Sequence, residues 1–324
     1  MPIIADPRPV AGAVPYAGWQ CSRLTQPDGH HIRIAAWKEM PSGRPRGTVL
    51  LLTGRSETLE KYGEQAADWT ARGFHTVGMD WRGQGGSSRY LDNRHKGHVP
   101  DFRIFMDDLD RAIVELLPTG TPQPVIGFAH SMGGHVLLRH VAERAHPFAG
   151  VILSAPMLGI RTAPLPEPVA RRLAAWMVAR GKGGDYALRQ TDWIAAEPTF
   201  EKNPLTSDPV RFLIGHNCYA ADPALAMGGA TWGWLDAAFR SMAELFAPGK
   251  LEKVEVPVLM MTARADRIVR VDRHERAIRH LKHGRRTIYP LARHELMMET
   301  DSIRNAVWMD IDAFLAELTV QAGT

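Results

Sequence analysis

The stretch GFAHSMGGH (residues 127–135) sets one serine among small residues, directly after an apolar run and directly before a helical pattern. A strand that bends sharply into a helix demands small side chains two positions before and two positions after the bend, because the two elements cross closely there. Ala129 and Gly133 hold those positions. Such a bend projects the Ser131 hydroxyl from the carboxyl edge of a sheet, where open α/β folds place their ligands. A glycine-rich turn of purely structural purpose carries the same local pattern, so the flanking chain decides.

Working outward, PVIGFAH (124–130) is one of several short runs rich in Val, Ile and Leu: GTVLLLTG (47–54), FHTVGMDWRG (74–83), AGVILSAPM (149–157), VPVLMMTA (256–263) and RTIYPLA (286–292). Helical patterns alternate with them, among them ETLEKYGEQAADWTARG (57–73), DFRIFMDDLDRAIVELL (101–117), with Asp101 as its expected N-cap, and MGGHVLLRHVAERA (132–145). Strands apolar on both faces and separated by helices predict a mostly parallel sheet with helices on both faces. Upstream, GWQCSRLTQPDGHHIRIAAWKEM (18–40) reads as a hairpin about its Pro-Asp-Gly turn. The alternation breaks between Pro156 and Pro257, where helical stretches such as VARRLAAWMVAR (169–180) and GWLDAAFRSMAELF (233–246) replace it. The expected organisation is a core over 1–155 with an irregular arm at 1–17, an inserted helical cap over 156–255, and the rest of the core over 256–324.

A serine alone is a poor nucleophile; it needs a base, and the base needs an orienting acid. Both must sit at equivalent sheet edges. Asp266 follows the strand VPVLMMTA, and His294 follows RTIYPLA. Their chain order, Ser-Asp-His, is the one expected of this bend. Competing residues fail on position. His283 precedes the last strand, and VILSA is followed by no acid until Glu167. His130 and His135 flank the bend, where packing or hydrogen bonding is the expected role. His95 and His98 read as solvated or structural, HELMM lacks the second histidine of a zinc-protease helix, and no metal site is expected. An oxyanion would be met by the backbone N–H groups of Met132 and Arg55, the latter in the loop TGRSETLEKY (53–62) where Gly54 permits close approach.

Composition bounds the rest. The 324 residues carry 39 basic and 35 acidic side chains, a net charge of +4 that falls short of a nucleic-acid-binding signature. Two cysteines, Cys21 and Cys218, imply neither a disulfide framework nor a cysteine zinc site. The proline-broken N-terminus lacks a basic segment followed by an apolar one, so it reads as an arm and not a signal peptide. No apolar stretch reaches the roughly 18 residues of a membrane span. A cytoplasmic protein is expected, with peripheral contact at the inner membrane as its extension.

The segments LLLTGRSETLEKYGEQA, GMDWRGQGGSSR, KGHVPDF, HSMGGH, TARADRIV and ARHELMMETD together resemble the α/β-hydrolase superfamily, in its bacterial lysophospholipase and monoacylglycerol-lipase branch. The resemblance covers nearly the whole chain. It implies the α/β-hydrolase fold, a helical cap, no cofactor, and a serine esterase whose catalytic positions match Ser131, Asp266 and His294. Two departures stand out: Thr53-Gly54 replaces the His-Gly of the monoacylglycerol lipases, and Ala129 replaces the usual glycine. The leading expectation is a carboxylic-ester hydrolase for single-chain lipids, most of all a lysophospholipase, with Arg55, Trp176 and Met177 touching substrate. Val169, Leu173, Trp176 and Met177 recur at helical spacing, which serves acyl lining or plain packing equally. Alternatives are a monoacylglycerol lipase or general carboxylesterase, an aminopeptidase using Glu167, Asp185, Asp192 or Glu197 to hold an amine, and a non-catalytic binding protein. The expected partner is a small lipid or ester, with transient membrane contact; sequence leaves the oligomeric state open.

Overall fold

The computed structural model describes residues 18–195 and 199–322. The expected arm at 1–17, and Glu197, lie outside the described residues. Strands β1 (Trp19–Thr25) and β2 (His31–Trp37) form the expected hairpin, with Gly29 at φ +82° in the turn and Gln26 N–H donating to the His30 carbonyl at 2.7 Å. β2 then pairs antiparallel with β4 (Phe74–Asp80). From β4 onward every pairing is parallel, through β3 (Gly47–Leu52), β5 (Val125–His130), β6 (Phe148–Ser154), β7 (Val258–Ala263) and β8 (Gly284–Tyr289). The eight strands lie in the order β1-β2-β4-β3-β5-β6-β7-β8.

Every residue of β3, β5 and β7 is buried. Their alternation sends successive side chains to opposite faces. Leu50 and Leu52 join one core with Met79, Leu153 and Met260, covered by α2 (Arg103–Leu116), α3 (Ser131–Glu143) and α7 (Val271–Ile278). Val49 and Leu51 join the other with Phe128, Ile152 and Met261, covered by α1 (Gly63–Ala71) and α8 (Asp301–Ala322). Trp69 of α1 anchors that second face, edge-on to Trp308 of α8 at 4.9 Å. Each such buried aromatic contributes about 1.5–3 kcal/mol by area, with roughly 0.5–1.5 more from the ring pair. Asp101 caps α2 in substance, its carboxylate accepting the Arg103 N–H at 2.8 Å, although the helix proper begins two residues on.

Between β6 and β7 the chain carries α4 (Glu167–Ala179), α5 (Pro209–Ala221) and α6 (Trp232–Leu245). α4 and α6 fall on the two helical patterns seen in sequence. α5 is additional: Asp208 accepts from the Val210 and Arg211 N–H groups and Pro209 opens the helix. On α4 the buried positions are Ala170 and Ala174, through which it packs against α6. Trp176 is half exposed, under the Arg180 guanidinium.

Candidate active site

The bend after β5 is strained. Ser131, the first residue of α3, has φ +49°, the left-handed region that costs a non-glycine residue energy. Gly133 makes the crossing feasible, since a Cβ there would lie 2.5 Å from the Thr53 carbonyl oxygen. Two loops at the same sheet edge bring the partners. His294 Nε2 lies 2.9 Å from Ser131 Oγ, and His294 Nδ1 lies 2.6 Å from Asp266 Oδ2. All three side chains are buried.

Asp266 sits in the turn after β7, where its other oxygen accepts the Ile268 and Val269 N–H groups at 2.7 and 2.9 Å. Burial alone would raise its pKa. The hydrogen bond and charge of His294, with those two N–H donors, outweigh it and hold the carboxyl below its ordinary value. An ionised Asp266 fixes the Nδ1–H tautomer of His294 and leaves the Nε2 lone pair for the serine proton. The His294 loop is itself fastened to the segment before α5. His294 and Glu295 N–H donate to the Pro204 and Leu205 carbonyls at 3.5 and 2.8 Å, and Arg293 Nη1 reaches the Asn203 and Thr206 carbonyls.

Among the described residues, no protein acceptor takes the backbone N–H of Arg55 or of Met132. The loop carrying Arg55 is braced by Gln84, whose amide donates to the Gly54 carbonyl at 2.7 Å, and by a buried ionic trio. Lys61 Nζ lies 2.7 Å from Glu57 and 2.6 Å from Glu295, joining that loop to the residue after His294. Glu57 also accepts from Tyr62 and the Gly54 N–H. Against the cost of burial, the charge of Lys61 and the hydrogen bonds from Lys61 and Tyr62 drive the Glu57 pKa down to about 2. Glu57, His130 and Glu295 bring possible ligand atoms within 4.8 Å of one another, but the Lys61 ammonium occupies the place of a cation between the carboxylates. The set does not fit a metal.

Burial pushes the His130 pKa down to about 4, and its Nδ1–H donates to the Ser154 carbonyl at 3.1 Å. A neutral ring 4.8 Å from His294 adds no repulsion to a protonated His294. His135 is buried against Ser241, and His283 lies at the far end of the sheet, where its carbonyl pairs with Val258. A cavity of about 660 Å³ opens on Ser131 and His294, walled by Met157, Ile160, Leu165, Ala170 and Trp234. This corrects the expectation that Trp176 and Met177 touch substrate. Trp176 and Met177 do not border the cavity, because α4 turns its alanines inward: Trp176 faces outward, and Met177 packs against the core. Arg55 borders it, and it pairs with no acid among the described residues, neither Glu57 nor any other. Glu57, Lys61, Glu295 and Gln84 escaped sequence reading; the four-residue spacing of Glu57 and Lys61 was the available hint.

Comparison with known proteins agrees with this fold. The family model for serine aminopeptidase S33 matches residues 43–301. The chain is 31% identical over 265 residues to lysophospholipase L2 of Escherichia coli K12, covering 79% of this chain and 76% of that one. It is 28% identical over 276 residues to a probable lysophospholipase L2 of Haemophilus influenzae, covering 85% of each. A soluble variant of monoglyceride lipase from Saccharomyces cerevisiae superposes with a TM-score of 0.72 at 21% identity, over 93% of this chain and 96% of that one, which speaks for the fold. The chain is therefore an α/β-hydrolase and belongs to the serine aminopeptidase S33 family.

Proposed function

We propose that this protein is a serine carboxylic-ester hydrolase of single-chain lipids, a lysophospholipase by preference, with residues 156–255 as its cap. The relay from Ser131 through His294 to Asp266, at 2.9 and 2.6 Å, carries the reading. His294 Nε2 takes the hydroxyl proton as Ser131 Oγ attacks the ester carbonyl, and the Arg55 and Met132 N–H groups receive the oxyanion. The protonated His294 then gives its proton to the departing alcohol oxygen. Water, deprotonated by the same histidine, attacks the acyl-enzyme and releases the fatty acid. A cavity of about 660 Å³ falls within the range of ligand pockets, and its apolar walls suit one acyl chain. Likeness to the two lysophospholipases L2 supports the same substrate class.

The aminopeptidase alternative needs an acid to hold an amine, and among the described residues the two acids that border the cavity, Glu57 and Glu295, are both held by Lys61. Glu167 pairs with Arg270 and Arg273, Asp192 with Tyr186 and Asn93, and Asp185 does not border it. No helix among the described residues is long and apolar enough to cross a membrane. The exposed Val169, Trp176 and Val178 on α4 support a transient contact of the cap with a membrane surface, in keeping with a cytoplasmic enzyme at the inner membrane. A fluorophosphonate probe tests the reading: it should label Ser131, and Ser131→Ala should abolish both labelling and hydrolysis of lysophosphatidyl esters. Labelling elsewhere, or turnover surviving in Ser131→Ala, overturns it.

A further inference from the structure

Three arginines, Arg55, Arg161 and Arg189, border the cavity that holds Ser131, and none has a carboxylate partner among the described residues. The two acids on the same wall, Glu57 and Glu295, are both taken by Lys61. The cavity thus has an uncompensated positive side. Arg55 is the least exposed of the three. It also borders a second cavity of about 290 Å³, which shares Glu57, Leu205 and Glu295 with the first.

The Arg55 guanidinium is placed, not trailing. Nη2 donates to the Gly228 carbonyl at 2.9 Å, Nη1 to Ser56 Oγ at 3.2 Å, and its carbon sits 5.1 Å from the Trp234 ring centroid. Gly97 makes the room: a Cβ there would meet Nη2 at 2.5 Å. Nε is buried with no partner. Burial pushes the pKa down to about 10, which leaves the group charged at neutral pH. A half-buried cation with an unused Nε–H and no carboxylate partner among the described residues is a site suited to an anion.

We propose that Arg55 is a specificity-determining residue that pairs with the phosphodiester of a single-chain glycerophospholipid while the ester carbonyl lies at Ser131. The proposal rests on the ester-hydrolase reading above and names its head group. Only the glycerol unit separates the ester oxygen from the phosphate in such a lipid, and Arg55 supplies both the guanidinium and a backbone donor beside the nucleophile. A phosphate answers the planar fork with two oxygens; a neutral glycerol cannot. Arg161 and Arg189, both exposed, add attraction for the same charge at the outer wall.

The test is binding to Ser131→Ala protein, which needs no turnover. Calorimetry compares a non-hydrolysable ether analogue, 1-O-alkyl-glycerophosphocholine, with 1-O-alkylglycerol and the free fatty acid of the same chain length. Adding Arg55→Gln should weaken the phosphocholine ether roughly tenfold or more while the alkylglycerol changes by less than about threefold. Arg161→Gln and Arg189→Gln, at exposed positions, should each weaken the phosphocholine ether alone by a smaller factor. Equal losses on both ethers, or a loss confined to the fatty acid, overturn the proposal. Failure of the Ser131 protein to cleave any ester sinks the hydrolase reading separately.

Discussion

Replacing Gly133 with alanine tests how the bend is built. The added Cβ would lie 2.5 Å from the Thr53 carbonyl oxygen and 2.9 Å from that of Leu52. Both are backbone atoms at the end of β3, a central strand, and the Thr53 oxygen already accepts the Trp81 indole N–H at 2.8 Å. To reach even a tight 3.0 Å, helix and strand must part by 3.0 − 2.5 = 0.5 Å. Overpacking of this kind costs about 1–3 kcal/mol, and the helix propensity of alanine returns about 1. The net loss of stability is therefore about 0–2 kcal/mol, a fall in Tm of a few degrees. Activity should suffer more. The displaced strand end leads directly into Gly54 and Arg55, and misplacing a reacting group by about 1 Å can cost on the order of 100-fold. Hydrolysis of a short p-nitrophenyl ester and the rate of fluorophosphonate labelling should both fall roughly 10- to 100-fold. Gly134→Ala, whose Cβ would meet Pro156 at 3.0 Å, should be milder. If Gly133→Ala keeps wild-type labelling rates, close crossing is not what sets the serine.

Asp266→Asn should fold, because its carbonyl oxygen can still accept the Ile268 and Val269 N–H groups. Its amide would face His294 Nδ1, fixing the tautomer with the proton on Nε2, so turnover should drop by about 10⁴; most of the rate surviving in kinetic assays would make Asp266 merely structural. Stability should weaken in acid. His130, His135 and His274 have pKa values pushed down by burial to about 4, 3 and 4, against about 6.5 in the unfolded chain. Between those limits the unfolded state binds more protons. Stability is thus complete above about pH 6.5 and falls toward pH 4, by up to about 1.4 kcal/mol per pH unit for each histidine. Asp266, with its lowered pKa, contributes fully above the unfolded value near 3.9 and is lost only as pH falls below that. Thermal melts from pH 7.5 to 4.5 measure the slope, and a flat profile contradicts the burial argument.

Much of the architecture was legible because burial on two faces leaves strands that are apolar throughout, and β3, β5 and β7 are of that kind. Ser131, Asp266 and His294 could be brought to one edge from chain order alone, since a parallel sheet presents all its carboxyl ends together. Contacts that close over long separations were not legible. Lys61 and Glu295 are 234 residues apart, and nothing local announces their pairing. α5 was missed because PVRFLIGHNCYAA carries no clear apolar stripe, although Asp208-Pro209 is a helix start. Trp176 shows the limit of periodicity. Spacing identifies a helix face but not its neighbour, and the close approach of α4 to α6 selected the small Ala170 and Ala174.

The fastening of the His294 loop to residues 203–206 has a mechanical meaning. Four carbonyls of that stretch, from Asn203, Pro204, Leu205 and Thr206, hold Arg293, His294 and Glu295. A cap that swung away as one rigid lid would pull this seam with it and draw the base off the serine. Opening and catalysis would then exclude each other at every cycle. Residues 203–221 stay with the core, with Arg211 paired to Glu64 and Tyr219 bonded to the Ser56 carbonyl. Any opening that admits a lipid must therefore leave this seam closed if the base is to stay aligned with the serine.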